Sequence, residues 1–258
     1  MACTRKILEV IKRKLIPNYG KQRFHTISKT FAEVNQEEAS SKETHFGFET
    51  VKETEKAEKV YSVFETVASK YDAMNDAMSF GIHRIWKDIF IQRLSPTANT
   101  HLLDVAGGTG RSRAEKLGIN GKQISWLQGD AENLPVDDAS FSAYTIAFGI
   151  RNVTHIDKVL EEAYRVLRPG GRFMCLEFSQ LNNRMLQWMY DQYSFQVIPV
   201  MGQLIAGQWK PYQYLVESIR QFPNQEDFKY MVEDAGFRHV SYENLSFGVV
   251  AIHSGFKL

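Results

Sequence analysis

Residues 102–120 read LLDVAGGTGRSRAEKLGIN, and the two halves of this stretch point to different places in one fold. The apolar run Leu102–Val105, followed by Gly107, Gly108 and Gly110, predicts a buried strand that empties into a glycine loop. Glycines let the backbone approach a ligand closely and adopt positive φ at little steric cost. In open parallel sheets, ligands lie at the carboxyl ends of the strands, where this loop falls. A glycine turn after a strand serves as readily as a plain structural turn. The loop lacks the Gly-Lys-Ser/Thr ending of a phosphate-binding P-loop, which argues against a nucleoside triphosphate. The continuation SRAEKLGIN reads as the end of a helix.

Outward from this stretch the pattern alternates. ISWLQ and AYTIAF read as strands, IDKVLEEAYRVL as a helix, RPGG as a turn and RFMCLEF as a strand. Strands alternating with helices through short loops imply an α/β sandwich with a mainly parallel sheet. Upstream, Val60, Val63, Phe64, Val67 and Tyr71, then Ile82, Ile85, Trp86, Ile89 and Phe90, recur at helical spacing on either side of KYDAMNDAMSFG. This predicts an all-helical lead-in with a turn at Gly81. Downstream, FPNQEDFKYMVEDAGF (222–237) predicts an amphipathic helix with Phe228, Met231, Val232 and Ala235 on one face. HVSYENL and GVVAIHSGFK then predict a hairpin that closes the far edge and makes the sheet mixed. FQVIPVMGQLIAG (195–207) is too short to span a membrane and reads as a buried or pocket-lining segment.

The 258 residues suffice for one good-sized domain with an N-terminal extension. A net charge of +1 provides no global field for nucleic acid, so none is expected as a partner. Cys3 and Cys175 are the two cysteines, which excludes a disulfide scaffold and a cysteine-rich zinc site; no metal is expected. Residues 1–32 carry eight Lys or Arg against the single acid Glu9, with Ile7, Leu8, Ile11, Leu15 and Ile16 among them. Such a start is the composition of a mitochondrial transit peptide or of a basic tail. The polar linker EVNQEEASSKET (33–44) follows it.

Two further stretches sit where a ligand of such a sheet would lie. In QGDAENLP (128–135), Asp130 followed by Ala131 suits an adenine amino group, although by itself such an aspartate is more often a solvated turn residue. In FGIRN (148–152), Arg151 and Asn152 fall just past a strand end, facing either a ligand or a salt-bridge partner.

In combination these elements are specific. The order strand–GGTG, GDAExLP, FGxRN and RVLxPGGRF resembles the class I S-adenosylmethionine-dependent methyltransferases. The stretches ETHFGFETV, KYDAMNDAMSFGIHRIWK, FGIRNVTHID, LRPGGRFMCLEFS, YQYLVESIRQFP and GVVAIHSGFK narrow this. They resemble the UbiE-type ubiquinone/menaquinone C-methyltransferases across 43–258, apart from one gap. The resemblance implies a Rossmann-like α/β fold and methyl transfer from S-adenosylmethionine to a ring carbon of a polyprenylated benzoquinol in ubiquinone biosynthesis. It implies a peripheral protein on the matrix side of the mitochondrial inner membrane. Partners would be other ubiquinone-biosynthesis proteins in a multi-subunit complex, and a homodimer is compatible with it.

Carried over by position, Asp104, Gly107, Gly108, Thr109, Gly110, Asp130 and Ala131 correspond to cofactor contacts, and Tyr71, Arg151 and Asn152 to the quinol-facing site. A guanidinium stays protonated, so Arg151 is assigned to stabilising a phenolate, directly or through water, with Asn152 orienting the hydroxyl. The hydrophobic segments 60–90 and 184–207 either enclose the isoprenoid tail or are ordinary core. The expected organisation is a transit peptide and linker over 1–43, a helical N-terminal cap over 44–98 and a methyltransferase core over 99–258.

The family pattern runs GGTGD, helix, acid-tipped strand, helix, strand and GDAE; here Arg111 follows GGTG and 19 residues (111–129) separate Gly110 from Asp130. Two helices and two strands need on the order of 45 residues. One strand, with its ribose-binding acid, and about two helices are therefore missing, as by a skipped segment. The expectation is a six-stranded sheet in which Ser112–Leu117 forms a short helix and Ile124–Gln128 pairs beside Leu102–Val105. Two functional readings follow: an active C-methyltransferase, or a catalytically impaired variant acting as a structural subunit of the quinone-synthesis complex.

Overall fold

The computed structural model describes residues 42–97, 99–106 and 127–258. The first element is a hairpin, β1 (Glu43–Phe46) and β2 (Glu49–Lys52), paired antiparallel with Phe46 opposite Glu49. Gly47 turns it with φ 61°, and a Cβ there would run into the Glu217 side chain. Helices α1 (Glu53–Val67), α2 (Tyr71–Ser79) and α3 (Ile82–Leu94) follow. The α2–α3 turn is made by Phe80 and Gly81, both left-handed, with Gly81 N–H donating to the Asp76 carbonyl at 3.0 Å. A left-handed residue is the ordinary way to satisfy a helix's last carbonyls.

The main sheet has the order β3-β4-β5-β7-β6. Strands β3 (Leu102–Val105), β4 (Phe141–Ala147) and β5 (Leu167–Phe178) are parallel, with Val105 beside Ile146 and Ile146 beside Cys175. Strands β6 (Arg238–Leu245) and β7 (Val250–Phe256) form the C-terminal hairpin, and β7 lies antiparallel to β5. Side chains alternate across a strand, so each central strand supplies two cores. Tyr144, Ile146, Phe173 and Cys175 face α4 (Ile156–Val166) and α8 (Gln225–Asp234). Ala143, Met174, Leu176 and Ile252 face Trp86, Phe90 and Leu94 of α3.

Local sequence explains the helices. Val159, Leu160, Ala163 and Val166 put one apolar stripe of α4 against the sheet, all fully buried. Asn224 caps α8 by accepting from the N–H groups of Glu226 and Asp227, both at 3.0 Å. Between them run α5 (Arg184–Gln192), a π-helical turn at Tyr193–Val197, α6 (Ile198–Met201), a second such turn at Gly202–Ala206, and α7 (Lys210–Gln221). Val67, Met74, Ile198, Tyr212 and Val216 form a third core that joins this segment to α1 and α2.

The structure departs from the sequence-based expectations in three places. The lead-in over 44–98 is helical only from Glu53, because β1 and β2 precede it. RPGG is a bulge inside β5 rather than a separate turn: the register shifts between Phe141 and Ala143, and Gly170 N–H and the Gly171 carbonyl bond to Lys257. The segment 195–207 is buried on one face only, with Ile198, Pro199 and Gly202 inside and Leu204 79% exposed. The main sheet has five strands among the described residues. The helix expected at 112–117 and most of the strand expected at 124–128 lie outside the described residues, and the described Leu127 and Gln128 carry no strand. No helix among the described residues is long and apolar enough to cross a membrane.

Candidate active site

Beyond the carboxyl end of β4 the chain makes one 3₁₀ turn, Ile150–Asn152, and this turn forms part of the wall of a cavity of about 270 Å³. Tyr71, at the start of α2, lines the same cavity with Arg151 and Asn152, so three residues that are distant in sequence share one space. Most of the remaining wall is apolar or aromatic, including Phe64, Met74, Trp86, Phe148, Phe178 and Ile198.

Arg151 is buried. Its Nη1 donates to the Phe148 carbonyl at 2.8 Å and to Glu177 Oε1 at 2.9 Å, and its guanidinium lies 5.5 Å from the Phe178 ring centroid. Only 6% of the Arg151 side chain and 1% of the Glu177 side chain are exposed. Arg151 Nε and Glu177 Oε2 are buried without a hydrogen-bond partner, which leaves a donor of a desolvated cation unused. Burial raises the Glu177 carboxyl above its usual range, and the neighbouring Arg151 charge opposes that rise.

Asn152 Oδ1 accepts from the Tyr214 hydroxyl at 3.1 Å, which leaves the amide NH₂ for a ligand. Tyr214 stacks on Phe46 with ring centroids 4.2 Å apart, while Glu217 Oε2 takes the Phe48 N–H at 3.0 Å. The N-terminal hairpin thus clamps the helix that orients Asn152. Burial pushes the Tyr214 phenol up to about 12, so it remains a donor at neutral pH.

Of the residues expected at the cofactor, the described Asp104, Asp130 and Ala131 do not line this cavity. Gly107, Gly108, Thr109 and Gly110 lie outside the described residues. Asp104 stands near the carboxyl end of β3 and accepts from Thr145 Oγ1 at 2.7 Å. Asp130 Oδ1 caps the Glu132 N–H at 2.9 Å in an exposed turn, and Ala131 packs against the α4-side core. Ala106 (φ 62°) and Phe148 (φ 55°) are both left-handed at adjacent strand ends. A Cβ on Gly149 would sit 2.5 Å from that of Ala106, so the two loops meet there only because residue 149 is glycine. Strained backbone at the carboxyl ends of parallel strands is the setting of a ligand crevice.

Three participants were not singled out from sequence. Glu177 sits inside a buried strand run, where an acid is a signal in itself. Tyr214 and His83 carry no local signal, since only the cavity brings them to Arg151.

Comparison with known proteins identifies the family. The ubiE/COQ5 methyltransferase family matches residues 51–115 and 109–257, two segments that meet at the glycine-loop junction. The chain is 60% identical to a Drosophila melanogaster protein named 2-methoxy-6-polyprenyl-1,4-benzoquinol methylase, mitochondrial, over 258 positions covering 84% of this chain and 86% of that one. A Homo sapiens protein of the same name is 52% identical over 288 positions, covering 88% of each chain. An alignment longer than the chain means that this relative carries internal residues absent here. Among solved structures, a Thermotoga maritima S-adenosylmethionine-dependent methyltransferase, a possible histamine N-methyltransferase, aligns with TM-score 0.53 at 20% identity, covering 77% of this chain and 100% of that one; it shows the fold alone. The class I α/β fold, the cavity beyond β4 and these matches lead to one conclusion: the chain belongs to the ubiE/COQ5 methyltransferase family.

Proposed function

We propose that this chain methylates a ring carbon of a polyprenylated methoxy-benzoquinol in ubiquinone synthesis, with S-adenosylmethionine as donor. The observation that carries the reading is the convergence of Tyr71, Arg151 and Asn152 on one mostly apolar cavity. When bound at Asp104, the 107–110 loop and Asp130–Ala131, the sulfonium supplies an activated methyl group. The protein's own residues align the ring and favour its anion. Arg151, desolvated with an unused Nε–H, stabilises phenolate charge, which is worth more in a dry site than in water. The Asn152 amide orients the hydroxyl, Tyr71 flanks the ring, and the aromatic wall holds the ring and the start of the tail. Residues 1–43 act as mitochondrial transit peptide and linker ahead of the 44–98 cap and the 99–258 core. The mature chain works as a peripheral protein on the matrix side of the inner membrane, with other ubiquinone-biosynthesis proteins.

The test is methyl transfer by the full chain from isotopically labelled S-adenosylmethionine to a short-chain methoxy-benzoquinol, read by mass spectrometry. Labelled C-methylated quinol is the expected product. No product at saturating donor would favour the structural-subunit reading instead.

A further inference from the structure

We propose that His83 is the general base that removes the phenolic proton of the quinol, an inference that rests on the quinol reading above. His83 is buried at the start of α3 and lines the cavity with Tyr71, Arg151 and Asn152. The hydrogen bonds around it assign its tautomer. Ser79 Oγ–H donates to the Asn75 carbonyl at 2.6 Å, which uses the single proton of that hydroxyl. Ser79 Oγ therefore accepts from its other neighbours, the His83 backbone N–H at 3.3 Å and His83 Nδ1 at 2.9 Å. Nδ1 carries the proton, and Asp76 Oδ1, 3.7 Å away, favours the same form. The Nε2 lone pair is then left for a ligand in the cavity.

The rest of the wall leaves the assignment to His83. Among the described residues the other titratable groups lining the cavity are Tyr71, Tyr190, Tyr193, Tyr212, Tyr214, Lys87 and Arg151, and none of them is a carboxylate. Phenols and cations carry their protons at neutral pH. Burial pushes Tyr190, Tyr193, Tyr212 and Tyr214 further up. Burial, with Lys87 and Arg84 of α3, holds the His83 imidazole below its ordinary value, while Asp76 and Asp72 of α2 oppose this. It is thus neutral, and able to accept, at pH 7.

The step balances as follows. The quinol O–H bond breaks, its proton joins Nε2, and the electron pair left on oxygen feeds the ortho ring carbon. That carbon bonds to the methyl as the sulfur–methyl bond breaks, with its electron pair going to sulfur. Loss of the ring C–H proton to water restores aromaticity, and the imidazolium returns its proton to solvent. Arg151 faces the anion while the proton is away.

The test separates base from donor. A prenylated 4-nitrophenol, whose anion absorbs in the visible, is titrated into the full chain without methyl donor, beside His83→Asn, which keeps an N–H toward Ser79. The wild type should hold the probe as its anion at a pH where the free phenol is neutral. His83→Asn should bind it, by competition with the quinol, without the anion signal, and should lose on the order of a hundredfold in kcat with little change in KM. Ser79→Ala, which frees the tautomer, should lose part of the signal and shift the acid limb of the kcat profile. An unchanged anion signal in His83→Asn, or kcat within threefold of wild type, overturns the proposal while leaving the quinol reading intact. An anion signal that depends on His83, without methyl transfer by the wild type, sinks the transfer reading and spares the base. A wild type that does not take up the phenol sinks both.

Discussion

Arg151 and Glu177 close a buried ion pair, Nη1 to Oε1 at 2.9 Å, between the turn after β4 and the end of β5. Removing one partner strands the other charge in a site with almost no water. Arg151→Met should cost about 3–5 kcal/mol in urea unfolding and abolish methyl transfer, whereas Arg151→Met with Glu177→Leu should recover most of the stability and none of the activity. A single mutant as stable as the wild type would mean that water reaches the pair.

The stack of Phe46 on Tyr214, 4.2 Å between centroids, ties the N-terminal hairpin to the site. A double-mutant cycle of Phe46→Ala and Tyr214→Ala should return a coupling of about 0.5–1.5 kcal/mol. Tyr214→Phe keeps the stack and removes the 3.1 Å bond to Asn152. It should cost about 1 kcal/mol in stability and raise KM for the quinol. An unaltered KM would show that Asn152 needs no such holder.

The junction at Gly110–Arg111 bears on donor affinity. The family resemblance implies that the absent block carries an acid-tipped strand, whose charge-assisted contact would be worth a few kcal/mol, so S-adenosylmethionine should bind this chain roughly a hundredfold more weakly than it binds a relative that retains the block. Calorimetric titration of both chains measures the difference, and micromolar affinity here would contradict the expectation.

His253 gives a pH signature remote from the site. It is buried on β7, its Nε2 lies 2.9 Å from the Gln225 carbonyl, and burial lowers its pKa to about 4. Between pH 6.5 and 4 the unfolded imidazole binds a proton that the folded one refuses, so stability is full above 6.5 and falls as pH drops through that window. The loss amounts to about 3 kcal/mol. Urea unfolding of wild type and His253→Asn at pH 7 and pH 4.5 should show a flatter pH dependence in the variant; parallel curves would place the titration elsewhere.

What was legible in sequence was local. The helix IDKVLEEAYRVL, the apolar face of 222–237 and the C-terminal β runs each show within a dozen residues, because helix and strand periodicity act at that range. The hairpin at 43–52 was hidden because its strands are four residues each and draw support from α7, far along the chain. The bulge at RPGG was hidden because its bonds go to Lys257.

The same division holds for the site. By itself the sequence determined the α/β alternation, the family resemblance and the positions of Arg151 and Asn152 past a strand end. Only the tertiary structure decided that Arg151 is paired to Glu177, that Tyr214 holds Asn152, and that His83 shares their cavity with its Nδ1 already spoken for. Those relations depend on strand register and on how the helices of the cap cross the sheet, which long-range packing sets and no local pattern encodes.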